Sequence, residues 1–285
     1  MNDMGAKFQD IRHKTIGLLL LFFGLMLPSK AQTIVSESYW DDVDFSDTTL
    51  IYKKQLPDRL ISYLYQFTDA DEKDFDSLTI AGLGFVLEKA KVNMRVYEYV
   101  LEFALNGYTG MGRSTVTDYL LNYPQLAEGE ITMEEGLRLD SITEPYQKVK
   151  VGAKAPDFSG LTIDGKPYRL YESKADRIIV FFWSVDCEYC HDFLADIRKR
   201  LNLKSDFELV TFSLADNEDE VRATVKKMRL PGYHFYDAKR WDGDAFLDYH
   251  VTSTPTVFVL DADKTIVCKP YDWKELKEWI KSKNQ

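Results

Sequence analysis

The chain has 285 residues, is 45% hydrophobic and 29% charged, and carries a formal net charge of −10. That composition supplies a packed core and excludes a disordered or collagen-like chain. Its acidic balance argues against a general nucleic-acid binder. Three cysteines are too few for a disulfide framework, and their odd number leaves at least one unpaired within the chain.

Residues 1–31 begin with Lys7, Arg12, His13 and Lys14, followed by an apolar run from Ile16 to Leu27 and then Pro28. A spanning helix needs about 20 apolar residues, and this run is shorter. Ser29-Lys30-Ala31 places small residues at −3 and −1 of a cleavage site before Gln32, which predicts a secretory signal peptide, with an uncleaved anchor as the alternative. Removal leaves a chain of net −12, expected to be soluble after cleavage, in a compartment that permits disulfide chemistry.

The remaining chain divides by charge. Residues 32–150 hold 11 basic and 21 acidic side chains, whereas residues 151–285 hold 21 and 23 together with all three cysteines. The first part reads as a mainly α-helical domain, residues 32–147. Leu60, Leu64 and Phe67 fall on one helical stripe, and Tyr97, Val100, Leu101, Ala104, Leu105 and Tyr108 on another. Asn106-Gly107, with Gly110 and Gly112, predicts a helix stop, and Val116, Tyr119 and Leu120 a further short helix. The acidic side chains read as a solvated surface. The polar stretch Ser141–Lys150, with Pro145, reads as the break between the two parts.

Residues 148–285 alternate strand and helix. Ile178–Trp183 is an unbroken apolar run, as a strand buried on both faces would be. Phe193, Leu194, Ile197 and Leu201 follow at helical spacing, and Phe207–Ser213 reads as a second strand. Val221, Val225 and Met228 mark a helix with Asp216 as its N-cap. Thr256–Leu260 and Thr265–Cys268 read as strands joined by the turn at Asp261–Lys264, before a final helix after Asp272. This order predicts an α/β sheet flanked by helices.

The chemistry-bearing motif is Cys187-Glu188-Tyr189-Cys190, at a strand-to-helix junction. Two intervening residues let the sulfurs meet on the first helical turn. The helix N-terminus presents free N–H groups and partial positive charge, and both stabilise the attacking thiolate. Cys187 is the expected nucleophile and Cys190 the expected resolving thiol. Half a zinc site and a purely structural disulfide share this spacing; zinc would need two more ligands, and His191, His234, His250 and Cys268 are scattered. No metal and no cofactor is expected. Cys268 reads as a buried thiol on a strand, and His191 as a solvent-facing helix residue.

Val151-Gly-Ala-Lys-Ala-Pro-Asp-Phe158, Asp164-Gly-Lys166, Phe182-Trp183, Cys187-x-x-Cys190 and Thr254-Pro255-Thr256 together resemble the thioredoxin-fold thiol–disulfide oxidoreductases of the TlpA/ResA kind, over residues 148–285. The resemblance implies a thioredoxin-like α/β fold, a mixed sheet flanked by helices, with a redox-active Cys187–Cys190 disulfide at its edge. It implies a cis Pro255 packed against the pair, Thr254 presenting backbone to substrate, and Trp183 shaping the site. It also implies protein disulfide or dithiol substrates, a membrane thiol reductase as electron donor, and a periplasmic location. The match is incomplete. Tyr189 stands where proline is common, Asp186 where tryptophan is, Phe193 where some members have glutamate, and Phe181 where thioredoxin has a buried acid. Redox direction therefore stays open. A peroxiredoxin reading finds its usual proline and threonine replaced by Val180 and Ser184. A redox-inactive thioredoxin-fold binding module is the non-enzymatic alternative. The Tyr39-Trp40-Asp41-Asp42 start of the helical part resembles an uncharacterised domain that precedes thioredoxin-like modules in secreted bacterial proteins, and implies no activity.

Overall fold

The structure is a computed structural model that describes residues 37–69, 72–123, 131–203 and 206–283. The proposed signal segment, residues 1–31, lies outside them. No helix of the described residues is long and apolar enough to cross a membrane. The chain divides into two compact units, with the boundary between Val100 and Leu101.

The first unit holds helices α1 (Gln55–Tyr65), α2 (Glu72–Ala90) and the start of α3 (Met94–Gly110). Its core includes Trp40, Leu60, Tyr63, Phe67, Leu83 and Val86, all essentially buried. The Tyr39-Trp40-Asp41-Asp42 start folds into it. Trp40 meets Tyr63 edge-on at 5.2 Å, and Tyr63 meets Phe67 at 5.4 Å. Arg59 lies over the Tyr39 and Trp40 rings and donates to Asp42, which holds that carboxyl below its ordinary range. A Cβ on Gly82 would stand 2.5 Å from the Phe67 ring, so the close approach of α2 to that ring requires glycine.

In the second unit, α3 continues to Gly110 and is followed by α4 (Ser114–Leu121) and α5 (Met133–Lys148). One expectation needs correcting here. Asn106-Gly107 does not end the helix; the chain leaves it only after Gly110, with Gly112 at φ +67° against Tyr271. One glycine inside a helix costs about 1 kcal/mol, which the buried stripe through Ala104, Leu105 and Tyr108 outweighs. The polar stretch around Pro145 is likewise helix. A capping box, with Thr132 Oγ1 accepting from Glu135 N and Glu135 accepting from Thr132 N, starts α5 firmly. Tyr146, donating to Asn106 Oδ1 at 2.8 Å, anchors its end.

The thioredoxin-like region opens with a hairpin, β1 (Ser159–Leu161) and β2 (Pro167–Arg169), turning at Gly165 (φ +74°). The main sheet has order β5-β4-β3-β6-β7. Strands β3 (Arg177–Ser184), β4 (Glu208–Leu214) and β5 (Tyr233–Tyr236) run parallel; β6 (Thr256–Asp261) and β7 (Ile266–Cys268) run antiparallel to their neighbours. β3 is central, and Ile178–Trp183 are all buried, as the apolar run predicts. Its alternate side chains serve two cores. Ile178, Val180 and Phe182 pack with Phe212, Phe246, Tyr249 and Phe258. Ile179, Phe181 and Trp183 pack against α6 (Glu188–Arg200) and α9 (Trp273–Lys283). Helix α7 (Glu218–Met228) is capped by Asn217, whose side chain accepts from Glu220 N, and not by Asp216. Asp216 instead pairs with Arg240. The short helix α8 (Asp244–Asp248) follows β5. The Val151–Phe158 motif covers the β7 edge: Gly152 N donates to Ile266 O, and Ala155 N to Lys264 O.

Candidate redox site

β3 ends at Ser184, and the chain turns through Val185 and Asp186 into α6. Val185 N donates to Leu214 O, which pins the turn to the neighbouring strand. Cys187 is the N-cap, with extended backbone at φ −93°, ψ 99°, and its Sγ accepts from Cys190 N at 3.1 Å. A sulfur thus occupies the place that a serine or aspartate oxygen usually takes at a helix start. Arg198, Lys199 and Arg200 fill the last turn, aligned with the helix dipole. Cys187 and Cys190 form a disulfide with Cα atoms 5.2 Å apart. Cys187 is half-buried and Cys190 fully buried, so the first sulfur faces outward and the second inward.

The Thr254–Pro255 peptide bond is cis, and Thr254 O lies 3.9 Å from Cys187 Sγ. A disulfide sulfur carries no proton, so this is a contact; a Cys187 thiol at the same place could donate there. Thr256 Oγ1 donates to Ser253 O at 2.7 Å and braces the loop from within. Behind it lies a cavity of about 30 Å³, bordered by Gly110, His250, Ser253 and Lys269. Burial holds the Lys269 amine down at about 8, and burial followed by the Lys269 charge lowers His250. Nothing in the sequence pattern indicated that the end of α3 would back this loop.

Trp183 is wholly buried, with its indole N–H unpartnered. The expectation for His191 needs correcting. Its ring is half-buried and edge-on to Trp183 at 5.8 Å, and its Nε2 is also buried without a partner. Phe181 and Phe193 meet edge-to-face at 5.3 Å, so hydrocarbon fills the two positions at which the resemblance raised the question of an acid. Asp186, Glu188, Tyr189 and Asp192 are exposed around the pair. Cys268 is the free thiol; burial pushes it up to about 12. It therefore stays protonated and unreactive at neutral pH. Among the described residues no group of three or more His, Cys, Asp or Glu side chains is placed to hold a metal ion.

Residues 151–269, from the β7-covering segment through the disulfide and the cis-proline loop to β7, match the AhpC/TSA family. The chain is 29% identical over 129 residues to the thioredoxin-like protein YneN of Bacillus subtilis, covering 42% of this chain and 74% of that protein. It is 25% identical over 141 residues to the thiol-disulfide oxidoreductase ResA of Bacillus thuringiensis, covering 47% of this chain and 79% of that protein. Among solved structures, a thioredoxin-like protein from Bacteroides caccae superposes with a TM-score of 0.57 at 20% identity, over 90% of this chain and 95% of that one. That likeness is one of fold, and it extends beyond the family region into the helical part.

Proposed function

We propose that this protein is an exported thiol–disulfide oxidoreductase that exchanges disulfides with protein partners. The observation that carries the reading is the placement of Cys187. Its sulfur caps a helix, receives the Cys190 N–H at 3.1 Å, and lies beside the Thr254 carbonyl on the cis-proline loop. The match of residues 151–269 to the AhpC/TSA family, and similarity to a named thiol-disulfide oxidoreductase, support it.

In the reducing direction, the Cys187 thiolate attacks one sulfur of a partner disulfide. A mixed disulfide forms, and the partner's other sulfur leaves as a thiolate that takes up a proton. Cys190 then loses its proton and attacks Cys187 Sγ, releasing the second partner sulfur. The partner gains two electrons and becomes a dithiol; Cys187–Cys190 becomes the disulfide. A dithiol donor, in this reading a membrane thiol reductase, reverses the last change. Trp183 shapes the floor of the site, and Thr254 offers backbone to the partner chain. The basic, apolar, small-residue order of residues 1–31 supports export to the periplasm.

The test is Cys190→Ala. It leaves the nucleophile without its resolving partner, so covalent protein adducts on Cys187 accumulate and dissolve with dithiothreitol, whereas Cys187→Ala forms none. Wild-type protein that neither reduces insulin nor equilibrates with glutathione would sink the reading in favour of a binding module.

A further inference from the structure

The thioredoxin-like region contains a second concavity, separate from the disulfide. It is a groove of about 400 Å³ between β1 on one wall and α8 with the end of β5 on the other. Phe158, Phe212, Phe235 and Phe246 line it, and Asp157, Asp237, Asp244 and Asp248 stand along it; among the described residues no lysine or arginine borders it. Two of the carboxylates are neutralised from outside, Asp157 by Arg169 and Asp244 by Lys239. Asp237 accepts from Lys239 N, and the exposed Asp248 has no basic partner among the described residues. Leu161, 68% exposed, lines the opening, and Leu247, 62% exposed, lies between Phe246 and Asp248 on α8. Exposed leucines beside an aromatic groove are the kind of surface that partners cover.

One wall of this groove is an open strand edge. Phe158 O accepts from Leu170 N, and Thr162 N donates to Lys166 O, so residues 158, 160 and 162 direct their backbone groups at the β2 side. By alternation Ser159 and Leu161 direct theirs away from β2. The next residue of that set, Ile163, already donates to His234 O of β5. Beyond that bond the two strands diverge, and the groove opens between them. A Cβ on Gly160 would lie 3.5 Å from the Phe235 ring, so position 160 faces the aromatic floor. The β5 strand is parallel to β3 and two places away, so the groove opens at the same end of the sheet as Cys187, roughly 10 Å across.

We propose that this groove is a docking site for an extended segment of a client polypeptide in which basic and apolar side chains alternate. The segment adds as a strand to the free edge of Ser159–Leu161. Its apolar side chains enter over the phenylalanines and its cations meet the acidic rim at Asp248, the carboxylate left without a basic partner among the described residues. The inference rests on the oxidoreductase reading only for the word client; the groove and its chemistry stand apart from it.

The test uses the full chain and a fluorescent, cysteine-free octapeptide of alternating lysine and valine, read by anisotropy. Controls are a glutamate–valine peptide and a lysine–N-methylvaline peptide that lacks the pairing N–H groups. Saturable binding is expected for the first peptide alone. Asp248→Lys weakens it about fivefold, since a rim charge acts through solvent. Gly160→Leu, which fills the floor, abolishes it. Both variants reduce a small neutral disulfide at the wild-type rate. Unsaturable binding, equal binding of the glutamate peptide, or equal affinity in both variants overturns the inference. So does a shift from dimer to monomer in the variants, which would make a second copy the occupant. Binding that persists in a protein unable to reduce the small disulfide would leave the groove standing and remove the oxidoreductase reading.

Discussion

Reduction of the Cys187–Cys190 pair is expected to lower stability modestly and leave the fold intact. The magnitude follows from the loop it closes. The two residues are three apart, and chain-entropy cost grows with the logarithm of loop length, giving about 2 kcal/mol for so short a loop against about 4.7 for one of 100 residues. On the native side little changes. Cys187 Sγ keeps its position for the Cys190 N–H, a cap worth about 1 kcal/mol. Cys190 remains a small buried apolar group against Trp183 and Phe193. For a chain of this size each kcal/mol moves the midpoint by about 2–4 °C, so reduction should lower Tm by roughly 4–8 °C. Calorimetry with and without a phosphine reductant measures this, and a Cys187→Ala, Cys190→Ala double variant gives the disulfide-free reference. A fall beyond about 15 °C, or loss of near-ultraviolet circular dichroism on reduction, would refute the reasoning and make the pair a structural staple.

Cys268, its thiol pushed up to about 12 by burial, should resist iodoacetamide at pH 8 in the folded reduced protein while Cys187 is alkylated, as mass spectrometry of peptides would show. Phe182→Ala should cost about 3–5 kcal/mol in urea titrations, because the fully buried ring touches Phe212, Phe246, Tyr249 and Phe258. Burial lowers both His234 and His250 below the ordinary 6.5, so the unfolded chain binds their protons first. Their contribution is then whole above pH 6.5 and is lost as pH falls through the folded values, by up to about 1.4 kcal/mol per pH unit for each group. A flat unfolding free energy between pH 7 and 5 in a His234→Gln, His250→Gln control, set against a sloping wild type, would locate the effect. Thr211→Val should cost about 1–3 kcal/mol by stranding His234 Nδ1. That ring's Nε2 faces the Leu230 carbonyl, so Nε2 carries the proton and Nδ1 accepts from Thr211.

Much of the architecture was legible because one element has one dominant signal. Ile178–Trp183 reads as a strand covered on both faces, and Phe193, Leu194 and Ile197 fall at the spacing of one helical face, as their two packed cores bear out. The misreadings arose where local chemistry and packing disagree. Helix α2 hides in the sequence because Gly82 and Gly84 look like breakers and its apolar residues form no narrow stripe; the Phe67 ring is what demands Gly82. Asn106-Gly107 and Pro145 carry stop chemistry inside segments whose buried neighbours keep them helical. Asp216 and Asn217 are both good caps, and the spacing to Glu220 favours Asn217.

The site was legible in its spacing, but its electrostatics were not. Cys187-x-x-Cys190 at a strand end fixes where the sulfurs lie, whereas the proton acceptor is a question about what lies beneath them. The Phe181–Phe193 pair answers it with hydrocarbon. Among the described residues of the second unit Lys264 is the buried charged side chain, and it donates to Ser173 O and Ala262 O in a turn. That unit therefore has no buried carboxylate among its described residues to lie under this pair. Charge that develops on Cys187 is met by backbone: the Cys190 N–H and the first turn of α6, opposed by the exposed acids Asp186, Glu188 and Asp192. Backbone dipoles do not titrate, so the same stabilisation is present at every pH at which the fold survives. Salt screens the exposed acids and the helix-end dipole alike, but it does not reach the short Cys190 N–H contact with the sulfur. Raising ionic strength should accordingly increase the fraction of Cys187 thiolate at fixed pH, and an alkylation rate that fell with salt would show that the acids do not oppose it.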